Sequence, residues 1–162
     1  METDKNSPGA AHPRPALYLA ELVRARMHSY LEKKFAEAGV TDLSVSHGSI
    51  LFWLYRSGGA ENMLRIAEKI QRDKSTVTYL TRKLVEAGYA RRRQCTVDRR
   101  SVFIELTEKG WRFQELFERV NKELTETAYK NFSDEEAHTL RQLLEKMASN
   151  LDENRPVYDK EE

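Results

Sequence analysis

The run Asp73-Lys-Ser-Thr-Val-Thr-Tyr-Leu-Thr-Arg-Lys-Leu-Val-Glu-Ala-Gly88 spaces hydroxyls, a phenol and cations at helical intervals, and Arg91-Arg-Arg93 and Asp98-Arg-Arg100 follow closely. Between Arg72 and Arg100 stand nine Lys/Arg and three Asp/Glu, a local charge of +6. The 162-residue chain carries only +1, which leaves −5 for everything else. Cationic charge gathered in one segment of an otherwise slightly acidic chain calls for an anionic partner.

Val77, Leu80 and Leu84, with Val85 beside them, make an apolar stripe along this run. Ser75, Thr76, Thr78, Tyr79, Arg82 and Lys83 fall opposite it, and Lys74 leads in. A helix of this diameter fits the major groove of B-DNA, where short hydroxyls approach base edges and arginine or lysine reaches guanine or the backbone. Its N-terminal N–H groups also favour phosphate. Arginine at the tip of the following hairpin suits the narrow minor groove. There Asp98 is expected to orient Arg99 or Arg100 through a charge-assisted hydrogen bond. Taken singly, each part has a plainer reading, a solvated helix face and an edge strand guarded by charge. Side by side they point to double-stranded DNA.

Periodicity supplies the elements that must hold this segment. Residues 1–15 are polar and rich in proline, and read as a loose tail. Leu17, Ala20, Val23, Met27, Tyr30, Leu31 and Phe35 then predict a helix that ends near Gly39. Ser44 is a candidate N-cap for a second helix, Val45 to Arg56, whose Ile50–Tyr55 stretch is apolar all round and predicted to be buried. Asn62 is expected to cap a short third helix, Met63 to Gln71, with Leu64, Ile66, Ala67 and Ile70 inward. The fourth runs from Ser75 to Ala87, with Gly88 as its stop.

Strands are predicted over Tyr89–Gln94 and Ser101–Thr107. Thr107 is placed as the cap of a fifth helix reaching about Lys130. Ser133 and Glu136 read as a capping box for a sixth. In that last helix Ala137, Leu140, Leu144, Met147 and Leu151 step by three and four, the spacing of a helix–helix seam.

The fold expected is therefore mainly α with a small β-hairpin wing (α+β), a winged helix-turn-helix over 43–107. Residues 16–40 and 108–152 form a helical dimerisation region, and 153–162 a charged tail. The centre cannot bury the apolar stripes of all the flanking helices, so a homodimer is expected, with Leu17, Val23, Leu140, Leu144, Met147 and Leu151 at its seam.

Other chemistries find little footing. One cysteine, Cys95, excludes an internal disulfide framework, and a bridge through it would form only between molecules; it reads as an incidental small residue. His12, His28, His47 and His138 share no metal spacing, and His47 is expected to cap or pack at a helix start. No phosphate loop, nucleophile elbow or HExxH motif is present, and no enzyme, metal or cofactor is expected. No run is long and apolar enough for a bilayer, and no signal segment opens the chain, so a cytoplasmic protein is expected.

These motifs also carry a likeness. Leu64-Arg-Ile-Ala-Glu-Lys-Ile70, Asp73-Lys-Ser-Thr-Val-Thr78, Leu84-Val-Glu-Ala-Gly88-Tyr89, Asp98-Arg-Arg-Ser101 and Leu106-Thr-Glu-Lys-Gly110 resemble the MarR family of winged helix-turn-helix transcriptional regulators, at motif level over about 43 to 112. The resemblance implies a homodimer on a pseudo-palindromic operator, most often a repressor relieved by a small ligand or an oxidant. Carried over by position, Ser75, Thr76, Thr78 and Tyr79 would face the major groove and Arg99 the minor groove, with Asp98 and Arg100 assisting. Many members have a basic residue in place of Tyr79 and an acidic one in place of Arg82, so the bases read are expected to differ. Met27, Tyr30, Trp53 and Trp111 would border the cavity where such proteins take a small aromatic effector. The alternatives are an activator of the same family and a winged helix that docks an acidic protein.

Overall fold

The computed structural model describes residues 14–94 and 101–151. The order is α1 (Arg14–Glu37), a 3₁₀ turn (Val45–His47), α2 (Gly48–Arg56), β1 (Ala60–Asn62), α3 (Met63–Lys69), α4 (Lys74–Glu86), β2 (Ala90–Gln94), β3 (Val102–Leu106), α5 (Glu108–Ala128) and α6 (Asp134–Leu151). The chain separates into two units, 1–124 and 125–162.

In the first unit, α3 and α4 form a helix-turn-helix beside a three-stranded antiparallel sheet of order β1-β3-β2. Ile50, Leu51, Leu54, Ile66, Val77, Leu84 and Ile104 are essentially inaccessible and make the centre of the core. Phe113 of α5 closes one side, its ring 5.5 Å from that of Phe35, 5.3 Å from Tyr89 and 6.1 Å from Phe117. These aromatic contacts tie α1 and the residue that precedes β2 to α5.

The winged-helix expectation stands, with several local corrections. The sheet has a third strand, β1, paired Ala60↔Glu105 to Asn62↔Phe103. Three residues are too few for alternation to announce a strand; only the partner β3 defines it. Helix α1 begins at Arg14, so the tail expected over 1–15 gives up its last two residues. Pro15 fits inside a first turn, where its missing N–H costs nothing. The second helix is split, because the His47 ring turns back to Ser44 and a 3₁₀ turn precedes α2.

Phe52 is 44% exposed, with the Arg56 guanidinium over its ring, so α2 is not buried all round. On α3 Leu64 is half exposed, and Met63 takes the inward position. That helix stops at Lys69, and Gln71 adopts a left-handed φ of 50°.

The caps hold. The Leu64 N–H donates to Asn62 Oδ1 at 2.8 Å, and the Gly110 N–H to Thr107 Oγ1 at 3.2 Å. Gly88, with φ +78°, takes the left-handed step that ends α4.

The second unit holds the end of α5 and all of α6. The Tyr129 and Phe132 rings meet edge-on at 5.4 Å ahead of α6. The capping box is complete: the Ser133 N–H donates to Glu136 Oε2 at 2.8 Å and the Glu136 N–H to Ser133 Oγ at 3.1 Å. No described residue of α6 is buried. Leu143, Leu144 and Leu151 are 55%, 46% and 83% exposed, while Leu140 and Met147 are half-buried.

Candidate nucleic-acid interface

Helix α4 begins one residue earlier than its sequence suggests, because Asp73 is its N-cap. The Thr76 N–H donates to Asp73 Oδ1 at 2.8 Å and the Thr76 hydroxyl to Oδ2 at 2.6 Å. The Ser75 hydroxyl also donates to this carboxylate. The hydrogen bonds from Ser75 and then Thr76 hold the Asp73 carboxyl far below the usual carboxylate range. The start of the helix is thus occupied by its own anion, which corrects the expectation of free N–H groups for phosphate there. It also fixes what the hydroxyls can offer. With their protons committed to Asp73, Ser75 and Thr76 present acceptor lone pairs outward. Thr78 Oγ1 likewise donates to the Lys74 carbonyl at 2.7 Å.

The outer row of α4 is Ser75, Tyr79, Arg82 and Glu86, all exposed. Tyr79 is 53% exposed. The Arg82 guanidinium carbon lies 5.5 Å from the centre of its ring, and Arg82 Nε is 3.8 Å from Glu86 Oε1. Lys83 Nζ is 2.8 Å from Glu86 Oε2, and that bond keeps the Glu86 carboxyl below its ordinary value. On the buried side Thr81 joins Val77 and Leu84 by donating to the Val77 carbonyl at 2.7 Å. A threonine can be buried mid-helix when its hydroxyl bonds back one turn, which polarity alone does not disclose.

Glu86 therefore screens two of the three cations of α4, Arg82 and Lys83. Glu86→Gln is expected to tighten binding to mixed-sequence duplex at low salt and to steepen the log–log salt slope by up to about one. Fluorescence anisotropy measures both; an unchanged slope would show that Lys83 points away from phosphate.

Strand β2 packs beside α4 and carries Arg91, Arg92 and Arg93, all exposed. Glu105 of β3 pairs with two of them, Arg91 at 3.0 Å and Arg93 more closely. Arg93 and then Arg91 draw the Glu105 carboxyl below its usual value against the effect of burial. The Arg93 guanidinium also covers the Phe103 ring at 4.9 Å. Arg92 has no carboxylate partner among the described residues, so much of the apparent charge of this strand resides on one side chain.

Two further supports stand around this helix, and only the second was legible in the sequence. Lys109 of α5 donates to Asp42 Oδ2 at 2.6 Å and to the Ala87 carbonyl at the end of α4 at 2.8 Å, with its ammonium 4.1 Å from the Tyr89 ring centre. Tyr89 in turn donates to Asp42 Oδ1 at 3.0 Å. Burial resists ionisation of Asp42, but these two donors outweigh it and hold its carboxyl below the ordinary value. This node ties the C-terminus of α4 to the start of α5. Its members are far apart in the chain, so spacing gave no signal. His47 is the second support. The Ser44 N–H donates to its Nδ1 at 3.1 Å, as capping predicted, and burial, opposed by the Ser44 carbonyl 3.1 Å from the same nitrogen, lowers its pKa.

Of the predicted DNA-facing residues, Lys74, Ser75, Tyr79 and Arg82 are exposed, whereas Thr76, Thr78 and Lys83 are half-buried. Asp98, Arg99 and Arg100 lie outside the described residues, as does Cys95. Leu17 and Val23 are each 54% exposed on α1. The proposed effector aromatics have separate partners: Lys69 caps the Trp53 ring, Lys34 the Tyr30 ring, and Trp111 lies against Tyr55. Among the described residues no cluster of His, Cys, Asp or Glu could hold a metal ion, and no helix is long and apolar enough to cross a membrane.

Residues 43–102, the helix-turn-helix and wing, match the MarR family. A MarR transcriptional regulator from Methanosarcina mazei Go1 has a similar structure, with TM-score 0.71 and 26% identity over 85% of this chain and 96% of its own. The likeness to the MarR family is carried by residues 43–102. The S. aureus MepR–DNA complex is also similar, with TM-score 0.75 and 27% identity over 83% of this chain and 96% of that one. The HTH-type transcriptional regulator PchR of Bacillus subtilis (strain 168) is 31% identical over 94 residues. That alignment covers 56% of either protein, so the chain spans little more than half the length of this curated relative.

Proposed function

We propose that this chain is a MarR-type, sequence-specific DNA-binding regulator that acts as a homodimer on a pseudo-palindromic operator. The observation that carries the reading is the exposed Ser75–Tyr79–Arg82 row of α4 beside the exposed arginines of β2. The similarity to MepR, whose structure was solved with DNA, supports it.

Each α4 enters a major groove, with Tyr79 and Arg82 toward base edges and Lys74 and Lys83 toward phosphate. Arg99, braced by Asp98 and Arg100, enters the flanking minor groove. The exposed apolar faces of α1 and α6 are covered by a second copy, which sets the distance between the two α4 helices. Repression follows from occlusion of a promoter. A small aromatic effector would relieve it by favouring dimers whose α4 separation no longer matches the operator.

Selection of duplexes from a random pool tests this reading. The expected result is an inverted repeat whose half-site centres lie about 10 bp apart, one helical turn. Enrichment of unpaired half-sites, or of nothing at all, would count against the dimeric regulator.

A further inference from the structure

We infer that Tyr79 and Arg82 act together as one reader, which recognises a guanine with a thymine as its neighbour in each half-site. The inference rests on the DNA-binding reading above and deepens it. The two side chains stand one turn apart on the exposed row of α4, with the guanidinium 5.5 Å from the ring centre. A guanidinium laid over an aromatic face is held in plane while its outer edge stays open. The contact with Glu86 is through Nε, at 3.8 Å, which leaves the terminal nitrogens as the donors available to a base. Two parallel N–H donors on a fixed edge match the O6 and N7 acceptors of guanine.

The phenol ring supplies the other half. At 53% exposure Tyr79 keeps much of its ring in water although its packing face carries Arg82. An apolar edge beside a guanine-reading arginine is complementary to the thymine C5-methyl group, the one apolar feature of the major-groove edge. Ser75, with its hydroxyl proton committed to Asp73, offers only an acceptor one turn away and cannot substitute for either contact. The pair is also cooperative: removing the ring frees the guanidinium to rotate, so loss of Tyr79 weakens guanine recognition as well as methyl recognition.

The test uses the full chain and a duplex that it enriches from random sequence. Each guanine is replaced in turn by 7-deazaguanine, which lacks the N7 acceptor, and each thymine by uracil, which lacks the methyl. For the wild type, one adjacent pair of positions per half-site should respond, each replacement weakening binding by about fivefold or more. Tyr79→Phe should reproduce that pattern. Tyr79→Ala should abolish the response to uracil and shrink the response to 7-deazaguanine at the neighbouring base. Arg82→Ala should abolish the 7-deazaguanine response. Because both side chains are on the surface, thermal unfolding should confirm that the variants remain folded.

Responses that persist in Tyr79→Ala and Arg82→Ala, or that fall at separated positions, would overturn the inference and leave specific DNA binding intact. Binding to duplex without any enriched sequence would overturn it too. Absence of binding to any duplex would remove the regulator reading itself, and the inference with it.

Discussion

A Leu144→Glu variant is expected to run as a monomer and to lose about a hundredfold or more in affinity for a palindromic operator, while its weak affinity for mixed duplex persists. None of the described residues of α6 is buried, yet Leu140, Leu144, Met147 and Leu151 repeat at helical spacing. Apolar side chains repeated along one face are stable only against another surface. Placing a carboxylate at the centre of that seam would strand it away from water without a partner. Dimerisation matters to DNA binding because the second α4 then engages at high effective concentration, an advantage of roughly 10² to 10⁴. Size-exclusion chromatography with light scattering reads the first effect and anisotropy the second. A variant that remains dimeric would show that Leu144 lies outside the seam.

Gly110→Ala is expected to be the most damaging small substitution among the described residues, destabilising the protein by about 3 kcal/mol or more. A Cβ on Gly110 would lie 2.2 Å from the Tyr89 carbonyl oxygen, 3.0 Å from Leu106 Cδ2 and 3.2 Å from the Tyr89 carbonyl carbon. Two of these three neighbours are backbone atoms that cannot swing aside. They are also pinned: the Tyr89 carbonyl accepts from the Thr107 N–H at 3.0 Å, and the Gly110 carbonyl accepts from the Tyr55 hydroxyl at 2.9 Å. The clash therefore falls where α5, β2 and β3 converge, close to the Lys109 node that secures α4. Gly39→Ala is the control. Its Cβ meets nothing within 4 Å, so only the left-handed φ of 78° opposes it, a cost of about 1–2 kcal/mol. Urea unfolding of the two variants should separate these values; equal losses would mean that the α5 start can shift to admit a methyl group.

The contrast between those positions mirrors what was legible in the sequence. Caps and stripes are local, so Asn62, Thr107, Ser133 with Glu136, and the Val77–Leu84 stripe could be placed from spacing alone. Strand β1 could not, because its identity comes from β3, more than forty residues away. Leu64 and Phe52 were placed inward on hydrophobicity, yet each lies on the outer face of its helix, where a single exposed apolar side chain is ordinary. At the interface, the sequence located the charge but not its pairing. Asp73 stands ahead of the predicted helix start at Ser75, yet it governs the hydroxyls of Ser75 and Thr76. Glu105 and Glu86 between them engage four of the basic side chains, a pairing that no local motif announces. Side-chain hydrogen bonding depends on which groups the fold brings within 3 Å, and a linear pattern holds no such distances.

The most direct measurement is a titration of random-sequence duplex with the full chain at a series of salt concentrations from low ionic strength upward. The account predicts measurable binding that weakens linearly on a log–log plot, with a slope of about −0.9 for each phosphate neutralised and a total corresponding to several phosphates per dimer. No detectable interaction at the lowest salt, or an affinity indifferent to salt, would contradict the claim that the cations of α4 and β2 form a nucleic-acid interface.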